Sequence, residues 1–171
     1  MGLATALIIA VPRFVINIPI PGIPSIKICC DFIIIFLIST QISPVSGAIV
    51  AAVSNIIHTF LFPSGPFFPG FTLTDFLTGL IIGYLFKILN KKNNISFLAC
   101  LVSIFLAISF KTVLNTVWFN IIYHIAFNIL IWPRILAGIF SVILISPIAY
   151  KLSIFFDKII KNPSNNLMLD K

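Results

Sequence analysis

Apolar residues form long runs in this chain, and short groups of polar residues, prolines and lysines separate them. A hydropathy reading gives six apolar segments, at about 2–18, 26–42, 45–62, 73–89, 95–113 and 125–150. A helix needs about 20 apolar residues to cross the hydrocarbon core of a bilayer. The pattern therefore predicts an all-α integral membrane protein, a bundle of six transmembrane helices in which residues 1–171 form a single domain. The first two segments are short and must tilt or extend into their flanks.

The connections between these segments differ in composition. Residues 17–25 and 62–72 are rich in proline, whereas residues 90–94 form a short polar turn. Proline fixes φ and removes a backbone donor, so we expect ordered loops in the first two connections. Pro133 marks a candidate break near the start of the sixth segment.

Composition excludes a soluble domain. Hydrophobic residues make up 60% of the chain and charged residues 9%, whereas a soluble domain carries about 25% charged residues. The formal charge of +7 comes mostly from lysines beside apolar runs. This placement indicates contact with a membrane surface and argues against nucleic acid as a partner. By the positive-inside rule, the lysines of 87–92 and of the tail after 150 place both termini in the cytoplasm and the proline-rich loops outside.

Motifs of enzymes are absent from the sequence. It contains no Gly-x-Ser-x-Gly, no His-Glu-x-x-His and no phosphate-binding Gly-x-x-x-x-Gly-Lys, so we predict neither an enzyme nor a cofactor. Cys29, Cys30 and Cys100 are an odd number within apolar runs, which indicates packing residues and not a disulfide framework. Two histidines without nearby carboxylates do not predict a metal site.

Four cations are predicted to lie at one depth near the outer surface: Arg13, Lys27, Lys111 and Arg134. Cations at this depth are costly unless they pair, bind a ligand or extend to the interface. Asp31 and Asp75 are the possible partners. A long side chain that extends to the membrane interface is enough to explain any one of these cations. Four cations at the same depth, however, favour a water-filled outer pocket that binds an anion.

Aromatic and amide side chains are predicted on the same side of the membrane. They include Phe68, Phe71, Asn115, Thr116, Trp118 and Tyr123. A single interfacial aromatic usually marks only the aromatic belt. Together with the cations, the set suits a flat heteroaromatic ligand that carries a carboxylate.

The stretch 62–83 has a Pro-Gly-Phe-Thr-Leu core at residues 69–73. With Pro-Val-Ser-Gly-Ala-Ile-Val at 44–50, Leu-Asn-Thr-Val-Trp at 114–118 and Pro-Arg-Ile at 133–135, it resembles the folate-family S component of energy-coupling factor (ECF) vitamin transporters. The resemblance extends from the first segment to about Tyr150. One departure is Tyr123-His124, which stands where the family pattern has a tyrosine or similar residue followed by glycine.

The resemblance implies a six-helix protein of the bacterial plasma membrane that binds a vitamin, most directly folate, in an outward-facing pocket. It implies delivery through a transmembrane coupling subunit and two cytoplasmic ATPases. Family sites use the outer loops and an arginine of the sixth helix, which corresponds to Arg134, and Arg13 corresponds to an early arginine of the first helix. With the outer residues above, the predicted substrate-binding set is Arg13, Lys27, Phe68, Pro69, Gly70, Phe71, Asn115, Thr116, Trp118, Tyr123 and Arg134. We expect residues 67–71 to act as a lid.

The resemblance also implies a docking face for the coupling subunit on the first helix. The family uses Ala-x-x-x-Ala there, and Ala6 and Ala10 fit it, with Gly2 nearby. Small residues four apart let a second helix approach closely, although such pairs also arise by chance in apolar helices.

Two other interpretations remain open. The chain is an S component for another vitamin, such as a pyridoxine-like, pantothenate-like or thiamine-precursor-like molecule, or a structural membrane protein without a ligand. The outer cations argue against a structural protein, which does not need them. Ligand size separates the vitamins, and the sequence does not give the volume of the pocket.

Overall fold

The computed structural model describes residues 16–20, 23–28, 31–61, 67–90, 95–124 and 127–161. Its elements, numbered in chain order, are β1 (Ile16–Ile20), β2 (Ile23–Ile28), α1 (Asp31–Gln41), α2 (Pro44–Leu61), α3 (Pro69–Leu89), α4 (Phe97–Tyr123) and α5 (Phe127–Lys161). Within this part of the chain, four helices, α2 to α5, are long and apolar enough to cross a membrane. A multi-pass membrane protein is thus confirmed. Most of the first predicted segment lies outside the described residues, so the total of six helices stays a prediction.

A β-hairpin occupies the end of the first predicted segment and the start of the second. Its strands pair antiparallel, with Ile16 opposite Ile28 and Asn17 opposite Lys27. Pro19 and Pro24 lie in the two strands, where proline is tolerated at an edge, whereas in a helix interior it removes a backbone hydrogen bond and destabilises the helix. The prediction of a helix starting near residue 26 was therefore wrong, because β2 continues to Ile28.

The rest of the second predicted segment is the short helix α1, which has 11 residues. At 1.5 Å per residue it is about 16 Å long, roughly half the hydrocarbon thickness. It contacts α2, α3 and α5. Its Phe36 is fully buried and packs edge-on against Phe86 of α3, with ring centroids 5.5 Å apart. The residues predicted as a second span thus form a hairpin strand and a short helix packed within the bundle.

The other four helices overlap their predicted segments, but α4 ends at Tyr123 and α5 at Lys161, well beyond the predicted ends near 113 and 150. Helix α2 begins and ends within one residue of the predicted bounds, 45 and 62. Helix α3 begins at Pro69, so residues 69–72 are helical and not part of a loop. Proline suits this first position because its missing N–H has no partner within the helix. Helix α5 continues through Pro133 and Pro147, as neighbouring helices allow in membrane bundles, so the candidate break at Pro133 is absent.

Helices α2 and α3 pack closely because α3 carries glycines four residues apart. A Cβ atom on Gly79 would lie 2.7 Å from Ala48 Cα, and one on Gly83 would lie 2.7 Å from Pro44 Cα. Ser39 of α1 donates a hydrogen bond to the Gly79 carbonyl at 3.1 Å. Such close backbone contacts and small buried hydroxyls are the usual means of joining helices in lipid, where apolar burial drives association weakly.

The helices alternate in direction, so one end of the bundle gathers the start of α3 and the end of α4. We call it the Pro69 end and the opposite one the Leu89 end. Helix α4 stops at His124, whose φ of 52° is left-handed and whose N–H donates to the Asn120 carbonyl at 2.9 Å. Glycine takes this conformation without steric cost, whereas a residue with a Cβ atom, such as His124, does not.

Candidate functional site

Four aromatic rings form a continuous group at the Pro69 end, between α3 and α4. Phe68 contacts Phe71 and Trp118, with ring centroids 5.8 Å and 5.4 Å apart, and Phe71 contacts Phe119 at 5.3 Å. The Trp118 indole N–H donates to Thr74 Oγ1 at 3.0 Å. We call these four rings the aromatic cluster. Its members come from α4, from the first turn of α3 and from the residue just before α3, so the packing of α3 against α4 determines their arrangement.

Gly70 permits the close packing of this cluster. A Cβ atom there would lie 2.9 Å from Trp118 Cε2 and 2.8 Å from Phe68 Cδ1, closer than real Cβ contacts allow. Phe68 has extended backbone and precedes the helix, whereas Pro69, Gly70 and Phe71 are its first turn. The expected lid, residues 67–71, is therefore a loop only at its start, because its last three residues belong to helix α3.

Arg134 of α5 extends the aromatic cluster with a positive charge. Its Cζ lies 4.3 Å from the centre of the Phe119 ring, and its Nη1 donates to Thr116 Oγ1 at 3.2 Å. Thr116 is fully buried and donates in turn to the Thr112 carbonyl at 2.7 Å. Among the described residues, no carboxylate pairs with Arg134. An arginine held by a ring face and a hydroxyl keeps its charge available for an anion.

Lys111 of α4 differs from Arg134, because the protein itself neutralises it. Its Nζ lies 2.6 Å from Asp75 Oδ1 and 4.7 Å from the centre of the Phe32 ring. Asp31 is the chain neighbour of Phe32, whose ring Lys111 contacts. Asp75, one of the two possible partners, thus pairs with one of the four cations. The predicted anion pocket loses one member, since Lys111 belongs to an internal ion pair.

Asn115 lies on α4 one turn after Lys111. Its Oδ1 is buried and has no hydrogen-bond partner among the described residues. An unsatisfied buried acceptor costs about 1–3 kcal/mol, and such groups usually find a partner in protein, water or ligand. The side chain can therefore accept a hydrogen bond from a bound molecule.

The structure brings together only part of the predicted set. Eight of its members lie at or near the Pro69 end, and seven of these are on helices: Pro69, Gly70 and Phe71 on α3, Asn115, Thr116 and Trp118 on α4, and Arg134 on α5. The eighth, Phe68, directly precedes α3. The backbone of Lys27 lies in β2, a strand that contacts α5, and Tyr123 is the last residue of α4. Arg13, Gly2, Ala6 and Ala10 lie outside the described residues.

Sequence reasoning missed Phe119 and Thr74, which contact Arg134 and Trp118. Helical spacing gave a signal for Phe119, because it lies three residues after Thr116 and therefore on the same face of α4. No local signal identified Thr74, whose partner is 44 residues away.

A shallow apolar groove of about 360 Å³ also lies near the Pro69 end, on the surface of α2 and α3. Its lining is Ala52, Ile56, Phe67, Pro69, Thr72, Leu73 and Phe76. The one polar side chain in it, Thr72, already donates to Asn55 Oδ1 at 3.0 Å. This groove offers no charge to hold an anion, unlike the surroundings of Arg134.

The fold and the site define a multi-pass membrane protein with aromatic, amide and cationic groups at one end of its helical bundle. Its residues 1–153 match the family of ECF transporter substrate-specific components. The chain belongs to this family, whose members are transporter subunits and not enzymes.

Individual relatives and solved structures are similar to the chain. The folate transporter FolT of Clostridium novyi (strain NT) is 31% identical over 112 residues, which cover 66% of this chain and 63% of that protein. The folate transporter FolT of Leuconostoc mesenteroides subsp. mesenteroides is 27% identical over 119 residues, covering 69% and 61%. The chain thus spans somewhat less than two thirds of the length of these relatives.

Two solved structures have folds similar to that of this chain. The crystal structure of FolT bound with folic acid has a TM-score of 0.69 and 26% identity, covering 87% of this chain and 86% of that one. The structure of the S component of a bacterial ECF transporter has a TM-score of 0.65 and 20% identity, covering 94% of each chain. The second likeness concerns the fold alone.

Proposed function

We propose that this chain is the folate-binding S component of an ECF-type importer. The observation that carries the proposal is the Arg134 guanidinium, held by Thr116 and Phe119 beside the aromatic cluster. Folate combines a flat pterin ring with carboxylates. Aromatic faces suit the ring, and a guanidinium pairs with a carboxylate through short charge-assisted hydrogen bonds. The two relatives named folate transporter and the likeness to FolT with folic acid support this choice of vitamin.

The candidate residues take three roles in this proposal. The rings of Phe68, Phe71 and Trp118 contact the heteroaromatic ring of the ligand, with Pro69 and Gly70 shaping the start of α3. The cations Arg134, Arg13 and Lys27 attract its anionic end. The polar groups of Asn115, Thr116 and Tyr123 provide hydrogen bonds that fix its orientation.

Uptake requires partners as well as a binding site. Binding alone cannot accumulate a vitamin against a gradient, and the sequence carries no nucleotide-binding motif. We propose that the chain hands its ligand to the ECF coupling subunit, which two cytoplasmic ATPases drive. Gly2, Ala6 and Ala10 are the proposed contact, since small side chains permit close packing of a second helix.

Titration calorimetry on the purified protein tests the choice of ligand. We expect saturable one-to-one binding of folic acid and no heat of binding from pantothenate, pyridoxine or thiamine. Lys151→Ala, an exposed cation near the Leu89 end, is the matched control and should bind like the wild type. Binding of another vitamin in place of folic acid would keep the family role and change the substrate. No binding by any vitamin would favour a structural protein.

A further inference from the structure

A polar network joins three helices next to the aromatic cluster. Asp75 Oδ1 of α3 forms an ion pair with Lys111 Nζ of α4 at 2.6 Å, and Asp75 Oδ2 accepts a hydrogen bond from Asn55 Nδ2 of α2 at 2.7 Å. The Asn55 Oδ1 accepts in turn from Thr72 Oγ1 at 3.0 Å. The side chains of Lys111 and Asp75 are only 21% and 12% exposed. One carboxylate therefore connects α2, α3 and α4 where water competes little for its charge.

The same part of α3 has a second polar contact with α4. Thr74, the neighbour of Asp75, accepts a hydrogen bond from the Trp118 indole at 3.0 Å. Lys111, Asn115 and Trp118 follow one another at intervals of four and three residues, so they share a face of α4. The two contacts lie on either side of Asn115, whose Oδ1 has no partner among the described residues. Together they determine how far Asn115 and Trp118 lie from the start of α3.

We propose that Asp75 is a positioning residue of the ligand site. It does not touch the ligand but holds α4 against α3, so that Trp118 and Asn115 face the ligand at a fixed spacing. The identity of the ligand rests on the proposed function. Loss of the carboxylate would remove the ion pair that holds the Lys111 ammonium against α3, so Asp31, the chain neighbour of the Phe32 ring that Lys111 contacts, would attract the ammonium instead. Such a shift of the Lys111 ammonium would remove the strongest polar contact between α3 and α4.

The experiment uses the fluorescence of Trp118 and the affinity for folic acid. The chain has two tryptophans, so the variants are made in a Trp132→Phe protein, in which Trp118 is the only tryptophan. Trp132 is exposed, so its replacement should disturb the packing little. Asp75→Asn should raise the Kd for folic acid at least 10-fold through faster dissociation. It should also shift the Trp118 emission of the ligand-free protein. Lys111→Met should cause the same two changes.

A charge exchange tests whether the pair itself matters. Asp75→Lys combined with Lys111→Asp restores an ion pair between α3 and α4, and the Asn55 amide can turn to present its oxygen to the new lysine. We expect this double variant to recover the wild-type emission and most of the affinity. If this double variant does not fold, the two single variants provide the test. The same change in Kd and in Trp118 emission in Asp75→Asn and Lys111→Met would support the proposal, and different changes would contradict it.

Ser153→Ala provides the matched control. Gln41 Nε2 of α1 donates to Ser153 Oγ of α5 at 3.0 Å, so this variant also removes a polar contact between helices, at the Leu89 end. It should lower the Tm while the Kd stays within twofold and the Trp118 emission stays unchanged. Wild-type Kd and emission in Asp75→Asn would overturn the proposal, as would a folded double variant that recovers neither. If the wild type does not bind folic acid, the proposed function fails and the ligand-free emission alone decides the role of Asp75.

Discussion

Replacing Arg134 with alanine is the sharpest test of the proposed anion contact. The guanidinium lies 4.3 Å from the Phe119 ring centre and 3.2 Å from Thr116 Oγ1. No carboxylate of the described residues neutralises it. Its charge is therefore available to a bound carboxylate. Because no internal ion pair breaks, the change should act on the ligand and hardly on the fold.

The magnitude follows from these contacts. Removing one partner of a desolvated charge pair typically costs about 3–5 kcal/mol, and each 1.4 kcal/mol is tenfold in affinity, so Arg134→Ala should weaken folic acid binding by roughly 10²- to 4 × 10³-fold. Arg134→Lys keeps the charge and loses the planar contact with Phe119. A cation over a ring contributes about 0.5–2 kcal/mol, so this variant should lose only about 2- to 30-fold.

Titration calorimetry gives the affinities, and thermal unfolding without ligand checks the fold. Lost contacts with Phe119 and Thr116 cost about 1–2 kcal/mol, and removal of an uncompensated cation from the membrane region offsets part of this cost. We therefore expect the ligand-free Tm to change little. Wild-type affinity in Arg134→Ala would remove this residue from the site. Equal losses of affinity in Arg134→Ala and Arg134→Lys would show that a positive charge at this position is not enough to hold the ligand.

Three further predictions concern single positions. Gly70→Ala forces the rings of Phe68 and Trp118 to adjust, since both lie too close to the new Cβ atom. Such overpacking costs about 1–3 kcal/mol, and calorimetry should show weaker folic acid binding. His124→Gly relieves the left-handed backbone at the end of α4 and should raise the free energy of unfolding by about 1 kcal/mol, measured by thermal denaturation without ligand. Ala6→Trp should abolish folate uptake in cells that carry the complete transporter, because a bulky side chain prevents close helix docking. Binding to the isolated protein should persist.

Each of these predictions has a control or a contrary outcome. Gly138→Ala is the control for Gly70→Ala. Its new Cβ atom would meet nothing closer than Ile108 Cγ2 at 3.4 Å, so it should leave folic acid binding unchanged. A lower stability in His124→Gly would mean that the imidazole contributes more than the backbone strain costs. If uptake and binding fall together in Ala6→Trp, that residue belongs to the fold or the pocket, and unchanged uptake would place the docking face elsewhere.

The sequence by itself determined the class of the protein and the positions of most helices. The length of an apolar run is a local property, and α2 to α5 appear where the runs predicted them because a helix satisfies its own backbone in lipid. Likewise, prolines at 19 and 24 excluded a helix in the connection between the first two segments. The pattern did not show that this connection is a hairpin or that only a short helix follows it. Strand pairing and burial among neighbouring helices involve residues outside the run itself.

Only the tertiary structure decided which predicted site residues meet. Nothing in the sequence gave a reason to treat Lys111 and Arg134 differently, since both are cations predicted near the outer surface. In the structure, Lys111 pairs with Asp75 and Arg134 lies over the Phe119 ring. The difference depends on how each helix is rotated about its axis. In a soluble helix the polar face reveals that rotation, but here the lipid-facing and core-facing sides are both apolar, as the adjacent residues Val142 and Ile143 show at 8% and 63% exposure. The rotation is set by close contacts such as those of Gly70 and Gly79 with their neighbours, which exist only once the helices have packed.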